Sequence, residues 1–304
     1  WSILEADESD GSFVHIPPTY SIITNIDREH MDFYKSMDDL KNYFIRFVEK
    51  VPSFGKSFIC LDDKVNNNLV KKLKSKNFYT YGINKKSNFL IKNIKQKTNF
   101  SEFDLQVSIP NKKKTLIKKI NIPLLGIHNI RNSVAAVAVA LTVGISQSDI
   151  KKGLKNFKGV KRRFTKVCNW NGIDIIDDYA HHPVEISAVL SAARKYTSGR
   201  VIAIHQPHRY SRLANLITDF SKCFDEADIV GITPVYEAGE NPIKGINSKK
   251  LIKLLNDRSI NANLVYDEND LIKFLKLYGK PGDIFICLGA GSISQWVNKF
   301  KDTL

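Results

Sequence analysis

The sequence has no long apolar run, and this absence sets the first limits on the protein. Its longest apolar helical stretch, residues 133–143 (SVAAVAVALTV), is about half of the roughly 20 residues that a membrane-spanning helix needs. The chain opens WSILEADESD, without the basic start and apolar core of a secretory signal. We therefore expect a cytoplasmic protein with no membrane insertion.

Cysteine is scarce as well. The four cysteines, Cys60, Cys168, Cys223 and Cys287, lie far apart and form neither a CxxC motif nor a cluster with histidine. Each lies in or beside an apolar segment, so we predict buried free thiols rather than disulfides or metal ligands. Free thiols are typical of a reducing cytoplasm.

Acidic residues are the minority charge: 31 Asp and Glu face 46 Lys and Arg, which gives a net charge of +15. Such an excess attracts nucleic acid, a membrane surface or anionic small molecules. The lysines, however, are interleaved with asparagine, as in KKLKSKN and NKKKTLIKK, and form neither a helical stripe nor an RNA-binding aromatic signature. We therefore expect no nucleic-acid partner, and the composition does not define an oligomeric state.

Strands and helices alternate along the first half of the chain. Apolar segments predict strands at Ser2–Glu5 and Ser21–Asn25, and apolar residues at helical spacing predict a helix over Met37–Glu49. Residues 88–120 alternate apolar and polar side chains, which predicts antiparallel strands with one wet face. An Ala-rich helix is predicted after Gly126.

A domain boundary is predicted near Gly159, where FKGVKRRF interrupts the periodicity with charge. Beyond it, nearly continuous apolar strands are predicted at residues 172–177, 200–205, 228–233, 262–266 and 283–288, with helices between them. This repetition predicts a parallel sheet covered on both faces. The expected fold class is therefore α/β, with domains at residues 1–159 and 160–304.

Two acidic loops follow the first two predicted strands. They are EADESD, at residues 5–10, and DREHMD, at residues 27–32. Adjacent parallel strands would bring both loops together, and carboxylates with one imidazole form a donor set that suits Mg²⁺ shared with phosphate oxygens. A solvated acidic loop with a helix cap explains the same residues equally well.

Four further polar clusters could bind ligands. GIHNIRN, at residues 126–132, either caps a helix or offers amides to a nucleotide base. KRR, at residues 161–163, is either a solvated hinge or a source of an arginine for a terminal phosphate. DDYAHHP and HQPHRYSR follow strands at residues 177–183 and 205–212, where a parallel sheet binds ligands. There Asp178 could accept from ribose hydroxyls, and Arg209 and Arg212 could present guanidinium forks to a carboxylate.

Taken in order, EADESDGSF, TNIDREHMD, GIHNIRNS, KRRF, DDYAHHPVEI, QPHRYSR and GAGSIS resemble the Mur ligase family. The resemblance extends from Glu5 to about Ser294, and DDYAHHP together with QPHRYSR is its most specific part. It implies a central ATPase-type α/β domain that lacks its N-terminal phosphate loop, followed by a C-terminal Rossmann-like domain that binds the amino acid.

The resemblance also implies an activity. The family member it favours uses ATP and Mg²⁺ to join L-alanine to UDP-N-acetylmuramate through an acyl phosphate. That reaction belongs to peptidoglycan precursor synthesis and thus to cell shape and division. The alternatives are the related ligase that recycles a murein tripeptide and a non-catalytic remnant that binds nucleotide or amino acid. Because the family places a GKT-type loop and a UDP-binding domain before EADESD, we expect no ligase activity from this chain alone.

Finally, the resemblance assigns roles to individual residues. Mg²⁺ would be held by Glu5 and His30, and adenine would be contacted by Asn132. The γ-phosphate would be bound by Arg163 and the ribose by Asp178. The residues expected to shape the amino-acid side are Tyr179, which also serves the nucleotide, and His181, His208, Arg209 and Arg212. The set counted as catalytic is His30, Arg163, His181, His208, Arg209 and Arg212.

Overall fold

The computed structural model describes residues 1–31, 33–97 and 100–300. These residues divide into two compact units. The first unit is formed by residues 1–96, 100–124 and 128–157, and the second by residues 158–300 together with Lys97 and residues 125–127. None of the helices within the described ranges is long and apolar enough to cross a membrane.

The first unit is built on a sheet whose strands follow one another in chain order. Its described strands are β1 (Tyr20–Ile23), β2 (Lys56–Cys60), β3 (Phe78–Gly82), β4 (Phe89–Gln96), β5 (Ser101–Val107) and β6 (Thr115–Ile122). Neighbouring strands are parallel from β1 to β4, whereas the β4–β5 and β5–β6 pairs are antiparallel. The antiparallel strands predicted within residues 88–120 are thereby confirmed.

Four helices accompany this sheet: α1 (Met37–Glu49), α2 (Lys64–Lys72), α3 (Ile127–Thr142) and α4 (Gln147–Lys155). The helix predicted over Met37–Glu49 is confirmed as α1. It begins at Ser36, whose Oγ accepts a hydrogen bond from the Asp39 N–H at 3.1 Å, and it buries Leu40 and Phe47. A serine cap stabilises a helix by about 1 kcal/mol, and a buried side chain of this size adds about 1.5–3 kcal/mol.

The strand predicted at Ser2–Glu5 does not form. Residues 1–8 are irregular, and the side chains of Ile3 and Leu4 are 96% and 69% exposed. A strand needs a hydrogen-bonding neighbour. Within the part of the sheet that the structure describes, β1 is the end strand and pairs with β2 alone, so residues 2–5 do not extend the sheet beyond β1.

The second unit contains the other sheet, in the order β11-β10-β9-β12-β8-β7. Its strands are β7 (Thr165–Trp170), β8 (Ile173–Asp178), β9 (Val201–His205), β10 (Ile229–Ile232), β11 (Asn261–Leu264) and β12 (Ile284–Leu288). Neighbouring strands are parallel from β11 to β8, and only the β7–β8 pair among the described residues of this sheet is antiparallel. Because β12 enters between β9 and β8, strands that are distant in sequence end side by side.

Helices cover both faces of this sheet. They are α5 (Pro183–Tyr196), α6 (Tyr210–Asn215), α7 (Ile217–Phe220), α8 (Ser248–Asn256), α9 (Glu268–Tyr278) and α10 (Ile293–Asn298). Apolar residues of α5 and α8 belong to one buried cluster, and those of α9 and α10 belong to a second. Strands β9 and β12 lie between the two clusters and are buried along their full length. The predicted α/β class and the doubly covered parallel sheet are confirmed.

Neither β3 nor β7 was predicted from the sequence. Strand β3 is a short aromatic run, FYTYG, and β7 pairs with β8 as a hairpin. The turn of that hairpin is Asn171-Gly172, with φ of 48° and 80°. Asn-Gly is the strongest short-range hairpin signal, because both turn positions need positive φ. The dipeptide was therefore the available signal for β7.

Candidate functional site

The carboxyl ends of four neighbouring strands in the second unit are level. Asp178 pairs with Leu288, Leu288 with His205, and His205 with Ile232. The polar loops after β8 and β9 therefore leave the sheet at the same edge, where parallel sheets bind ligands. This edge is the candidate site of the second unit.

Asp178 ends β8 and is 2% exposed. Its Oδ2 accepts a hydrogen bond from the Phe164 N–H at 2.6 Å, and its Oδ1 accepts one from the Ala180 N–H at 2.8 Å. Burial raises the pKa of Asp178 to about 6, against the lowering effect of these hydrogen bonds. Asp178 thus fastens the KRRF segment to the loop after β8. Its contact with ribose stays a prediction. Each carboxylate oxygen retains a second lone pair that could accept a hydrogen bond from a ribose hydroxyl.

The two arginines of KRRF lie beside Tyr179. The guanidinium carbons of Arg162 and Arg163 are 4.7 Å and 5.6 Å from the Tyr179 ring centroid. Arg162 is used internally, since its Nη2 donates to the Gly289 carbonyl at 2.6 Å. Arg163 keeps 48% of its side chain exposed, and its Nη1 lies 3.5 Å from Glu185 Oε1. Of the two, Arg163 is the one available to an anion.

Aromatic rings continue from Tyr179 along the sheet edge. Ring centroids are 5.1 Å apart between Tyr179 and His181, 5.7 Å between His181 and His208, and 5.4 Å between His208 and Tyr236. The last pair is stacked, with an interplanar angle of 15°. The structure therefore brings together three predicted residues and adds Tyr236, which the sequence analysis missed.

His208 is held as a neutral imidazole. Burial lowers the pKa of His208 to about 4, and the nearby His181 and two arginines add to the lowering. Its Nδ1 lies 3.3 Å from Arg212 Nη1. Because a guanidinium group only donates, Nδ1 is the acceptor and the ring hydrogen is on Nε2. This ring offers a hydrogen-bond donor to a ligand at neutral pH.

Arg209 precedes α6 in a left-handed conformation, with φ of 70°. The strain of that conformation is offset by the segment 235–240 (VYEAGE). The Arg209 N–H donates to the Tyr236 carbonyl at 2.8 Å, and Ser211 donates to Glu240 from its N–H at 2.9 Å and its Oγ at 2.6 Å. Glu240 Oε1 is also 3.9 Å from Arg209 Nη1. Glu240 was missed as well, since VYEAGE matches no short motif that carries a mechanism.

The first unit contains a candidate metal site at His30. His30 Nε2 is 3.8 Å from Glu8 Oε1, and Glu29 completes a group whose ligand atoms all lie within 4.8 Å of one another. Among the described residues this is the one such group of three or more, and Glu5, predicted to act with His30, is not a member. Asp32, also part of the predicted acidic loop, lies outside the described residues.

A local turn explains why Glu8 faces His30. The Ser9 N–H donates to Asp7 Oδ1 at 2.8 Å, and the Tyr34 hydroxyl donates to the Glu8 carbonyl at 2.5 Å. Two carboxylates and an imidazole fit a divalent cation that also takes phosphate oxygens and water as ligands. The donor chemistry predicted for this loop is present at Glu8, Glu29 and His30, and the predicted role of Glu5 stays a prediction.

Asn132 lies in α3 with an exposed side chain. Its neighbour Arg131 donates from Nε to Asp62 Oδ2 at 2.7 Å, and Asp62 also accepts from the N–H groups of Ile83 and Asn84. This buried carboxylate fixes the first turns of α3. Asn132 is thus held on an anchored helix, and its contact with adenine stays a prediction.

Comparison with known proteins gives matches along nearly the whole chain. The Mur ligase middle domain matches residues 2–140, and the Mur ligase glutamate ligase domain matches residues 162–291. UDP-N-acetylmuramate–L-alanine ligase of Pelagibacter ubique is 55% identical over 308 residues, which cover 100% of this chain and 66% of that protein. The chain therefore spans just under two thirds of the length of that relative.

Solved structures share the fold. UDP-N-acetylmuramate-alanine ligase from Thermotoga maritima superposes with a TM-score of 0.74 at 24% identity, over 98% of this chain and 62% of that one. MurF ligase from Thermotoga maritima in complex with ADP gives a TM-score of 0.71 at 14% identity, over 96% of this chain and 64% of that one. At such identities the likeness concerns the fold alone.

Proposed function

The chain belongs to the Mur ligase family, and from this premise we propose that it forms part of an ATP-dependent ligase that joins L-alanine to UDP-N-acetylmuramate. The name of the 55% identical relative supports these substrates. We assign residues 1–159 to the ATP-binding domain and residues 160–304 to the amino-acid-binding domain. The free thiols of the described cysteines suit a cytoplasmic location.

One observation carries the proposal: an exposed arginine, a neutral histidine and further arginines lie along one carboxyl edge of the second sheet. Peptide-bond formation from a carboxylate needs a phosphate clamp and a site for the amino acid. Arg163 and the pair Arg209 and Arg212 supply guanidinium forks for those two anions.

The first step transfers the γ-phosphoryl group of ATP to the muramate carboxylate. Arg163 would bind the transferred phosphate and neutralise its charge, which is the main task in phosphoryl transfer. Mg²⁺, when bound, would screen the phosphate oxygens, and His30 with Glu8 and Glu29 would hold it. In the same step Asn132 would contact adenine, and Asp178 and Tyr179 the ribose side of the nucleotide. The structural similarity to an ADP-bound ligase is consistent with nucleotide use.

The second step forms the amide. Arg209 and Arg212 would hold the alanine carboxylate, and His208 would donate a hydrogen bond from Nε2. Water would have to be excluded from this position during the step, because it would otherwise hydrolyse the acyl phosphate.

A hybrid protein tests the proposal. In this hybrid ligase, the chain replaces the matching 66% of the Pelagibacter ubique relative. We expect release of ADP and phosphate that requires both UDP-N-acetylmuramate and L-alanine. The chain of 304 residues by itself, assayed in parallel, should give no turnover.

The same assay separates the alternatives. A folded hybrid that binds ATP but releases no ADP with either acceptor and any amine would support a non-catalytic remnant. Turnover with free murein tripeptide and UDP-N-acetylmuramate, but none with L-alanine, would support the recycling ligase. Either result would overturn the proposed function.

A further inference from the structure

Glu185, in the first turn of α5, contacts two segments of the second unit at once. Its Oε2 accepts hydrogen bonds from the N–H groups of His181 at 3.1 Å and His182 at 3.3 Å. Its Oε1 lies 3.5 Å from Arg163 Nη1. One carboxylate therefore joins the KRRF arginine to the histidine loop that follows β8.

The same carboxylate faces the His181 ring. His181 Nδ1 is 3.0 Å from the Tyr179 carbonyl oxygen and 3.6 Å from Glu185 Oε2. A carbonyl oxygen and an ionised carboxylate only accept, so Nδ1 carries the hydrogen of the neutral ring. Nε2 then carries the lone pair that accepts a proton.

Charges of both signs act on this ring. Burial lowers the pKa of His181, whereas the negative charge of Glu185 opposes that lowering. The other titratable or charged groups that face His181 are Tyr179, Arg212, His182, His205 and His208. The ring is consequently neutral at neutral pH, and the carboxylate stabilises the imidazolium that forms when the ring takes up a proton.

We propose that Glu185 is a positioning residue for amide formation, which orients His181 so that Nε2 accepts a proton from the incoming amine. The inference rests on the proposed function. The amine nitrogen bonds to the acyl carbon, and the carbon–oxygen bond to phosphate breaks with its electron pair on the leaving oxygen. Of the two protons that the ammonium form loses, one passes to His181 Nε2 and the other to the departing phosphate.

The tautomer and titration of His181 test the geometry in the 304-residue chain itself. Ring nitrogen and carbon signals are recorded by NMR against pH, and His181→Gln identifies the signal. We expect a hydrogen on Nδ1 in the unaltered chain. Glu185→Gln keeps an oxygen that accepts from the two backbone N–H groups but removes the charge, so the pKa of His181 should fall.

Two variants serve as comparisons. Glu185→Asp retains the charge and should keep the pKa of His181 closer to that of the unaltered chain. Glu268→Gln makes the same charge change in the first turn of α9, where Glu268 pairs with Lys299, and should leave His181 unchanged. A hydrogen on Nε2 of the unaltered chain, or the same His181 pKa with and without the Glu185 charge, would reduce Glu185 to a helix cap.

The hybrid ligase tests the chemical role. Hydroxylamine is largely unprotonated at neutral pH and has less need of a proton acceptor than the alanine ammonium group. We expect Glu185→Gln to slow amide formation with L-alanine by about tenfold or more, and the reaction with hydroxylamine by much less. Equal losses with both nucleophiles would overturn the role of Glu185 in proton transfer.

The two proposals fail in different ways. If the NMR results are as expected but the hybrid forms no product with L-alanine, the proposed function fails and the Glu185–His181 geometry stands. If the hybrid is active and Glu185→Gln leaves its rate with L-alanine unchanged, the proposed function stands and the role of Glu185 is wrong.

Discussion

At the residue scale, buried polar groups fix the loops that follow the strands. Asp178 in the second unit accepts the N–H groups of Phe164 and its near neighbour Ala180, and Asp62 in the first accepts those of the distant Ile83 and Asn84. A carboxylate used in this way defines the direction of the neighbouring side chains, here Arg163 and Asn132. Strand and helix geometry alone would not determine where these two exposed groups, a guanidinium and an amide, point. The hydrogen bonds of the two carboxylates also contribute.

Arg163 is the residue for which a kinetic prediction is sharpest. In the hybrid ligase, Arg163→Ala should lower kcat for ADP release by about 10³-fold, the scale of a phosphate-clamping arginine. The KM for L-alanine should change little, because the alanine carboxylate is assigned to Arg209 and Arg212 and not to Arg163. Arg194→Ala removes an arginine paired with Asp228 and serves as the control. A rise in the alanine KM with unchanged kcat would contradict the assignment.

The burial of His205 predicts how the stability of the second unit depends on pH. It is fully buried, its Nδ1 is 3.2 Å from the Leu288 carbonyl, and burial lowers the pKa of His205 to about 3. The folded-state pKa is thus below the ordinary value of 6.5. The contribution of the neutral ring to stability is complete above pH 6.5 and is lost as the pH falls toward 3.

We expect His205→Asn to make the unfolding free energy of the second unit less dependent on pH below 6.5, by up to about 1.4 kcal/mol per pH unit. The asparagine amide replaces the donor to Leu288 but does not titrate. Urea unfolding at several pH values measures the slope, and His15→Asn, an exposed histidine of the first unit, is the control. Equal slopes for His205→Asn and the unaltered chain would refute the prediction.

At the element scale, the sequence predicted the elements whose signals are local. The helix Met37–Glu49 has a serine cap and apolar spacing, and the buried strands of the second unit have continuous apolar runs. Ser2–Glu5 has the same apolar character but does not pair with a strand. Whether a segment pairs cannot be predicted from its own residues, because it depends on the partner strand. The position of β12 between β8 and β9 could not be predicted for the same reason, since it depends on contacts between segments that are distant in sequence.

The candidate site shows the same division. Residues after β8 and β9 were predicted because polar side chains at strand ends have a recognised position in parallel sheets. Tyr236 and Glu240 come from a segment with no such signal, and they meet the site through contacts with His208 and Ser211. Which carboxylate of EADE faces His30 depends on the turn at Asp7, so Glu8 was not distinguishable from Glu5.

The segment 235–240 and α6 should act as one element. In the hybrid ligase, Glu240→Ala or Ser211→Ala should raise the KM for L-alanine by about tenfold, as expected for losing a hydrogen bond to a charged group. The ATP KM should remain unchanged. The double variant should be no worse than Glu240→Ala, because Ser211→Ala removes only the Oγ bond to Glu240, which Glu240→Ala also removes. Ser146→Ala, which removes the cap of α4 in the first unit, is the control; additive effects would argue against a shared contact.

At the scale of the whole molecule, the positive charge is unevenly distributed. Residues 84–123 hold ten lysines and two acidic residues, so this stretch carries +8 of the total +15. It includes β4–β6 of the first unit, where Lys92 is cross-strand from Asp104. Such a field extends about one Debye length, roughly 8 Å at physiological salt. This field attracts any anion that approaches, whatever the chemical identity or shape of that anion.

This field should distinguish the two small substrates of the proposed reaction. ATP is a polyanion, whereas L-alanine is a zwitterion with no net charge. In the hybrid ligase we expect kcat/KM for ATP to fall severalfold, on the order of 3- to 10-fold, between low and physiological salt, because screening weakens long-range attraction. The value of kcat/KM for L-alanine should stay nearly constant.

Two triple variants test this prediction. Replacing Lys112, Lys113 and Lys114 with glutamine should flatten the ATP response, which is the salt dependence of kcat/KM for ATP. Glutamine at Lys249, Lys250 and Lys253 of α8 makes the same charge change in the other unit. If both triple variants flatten the ATP response equally, net charge governs the encounter; if neither does, the basic stretch has no part in ATP capture.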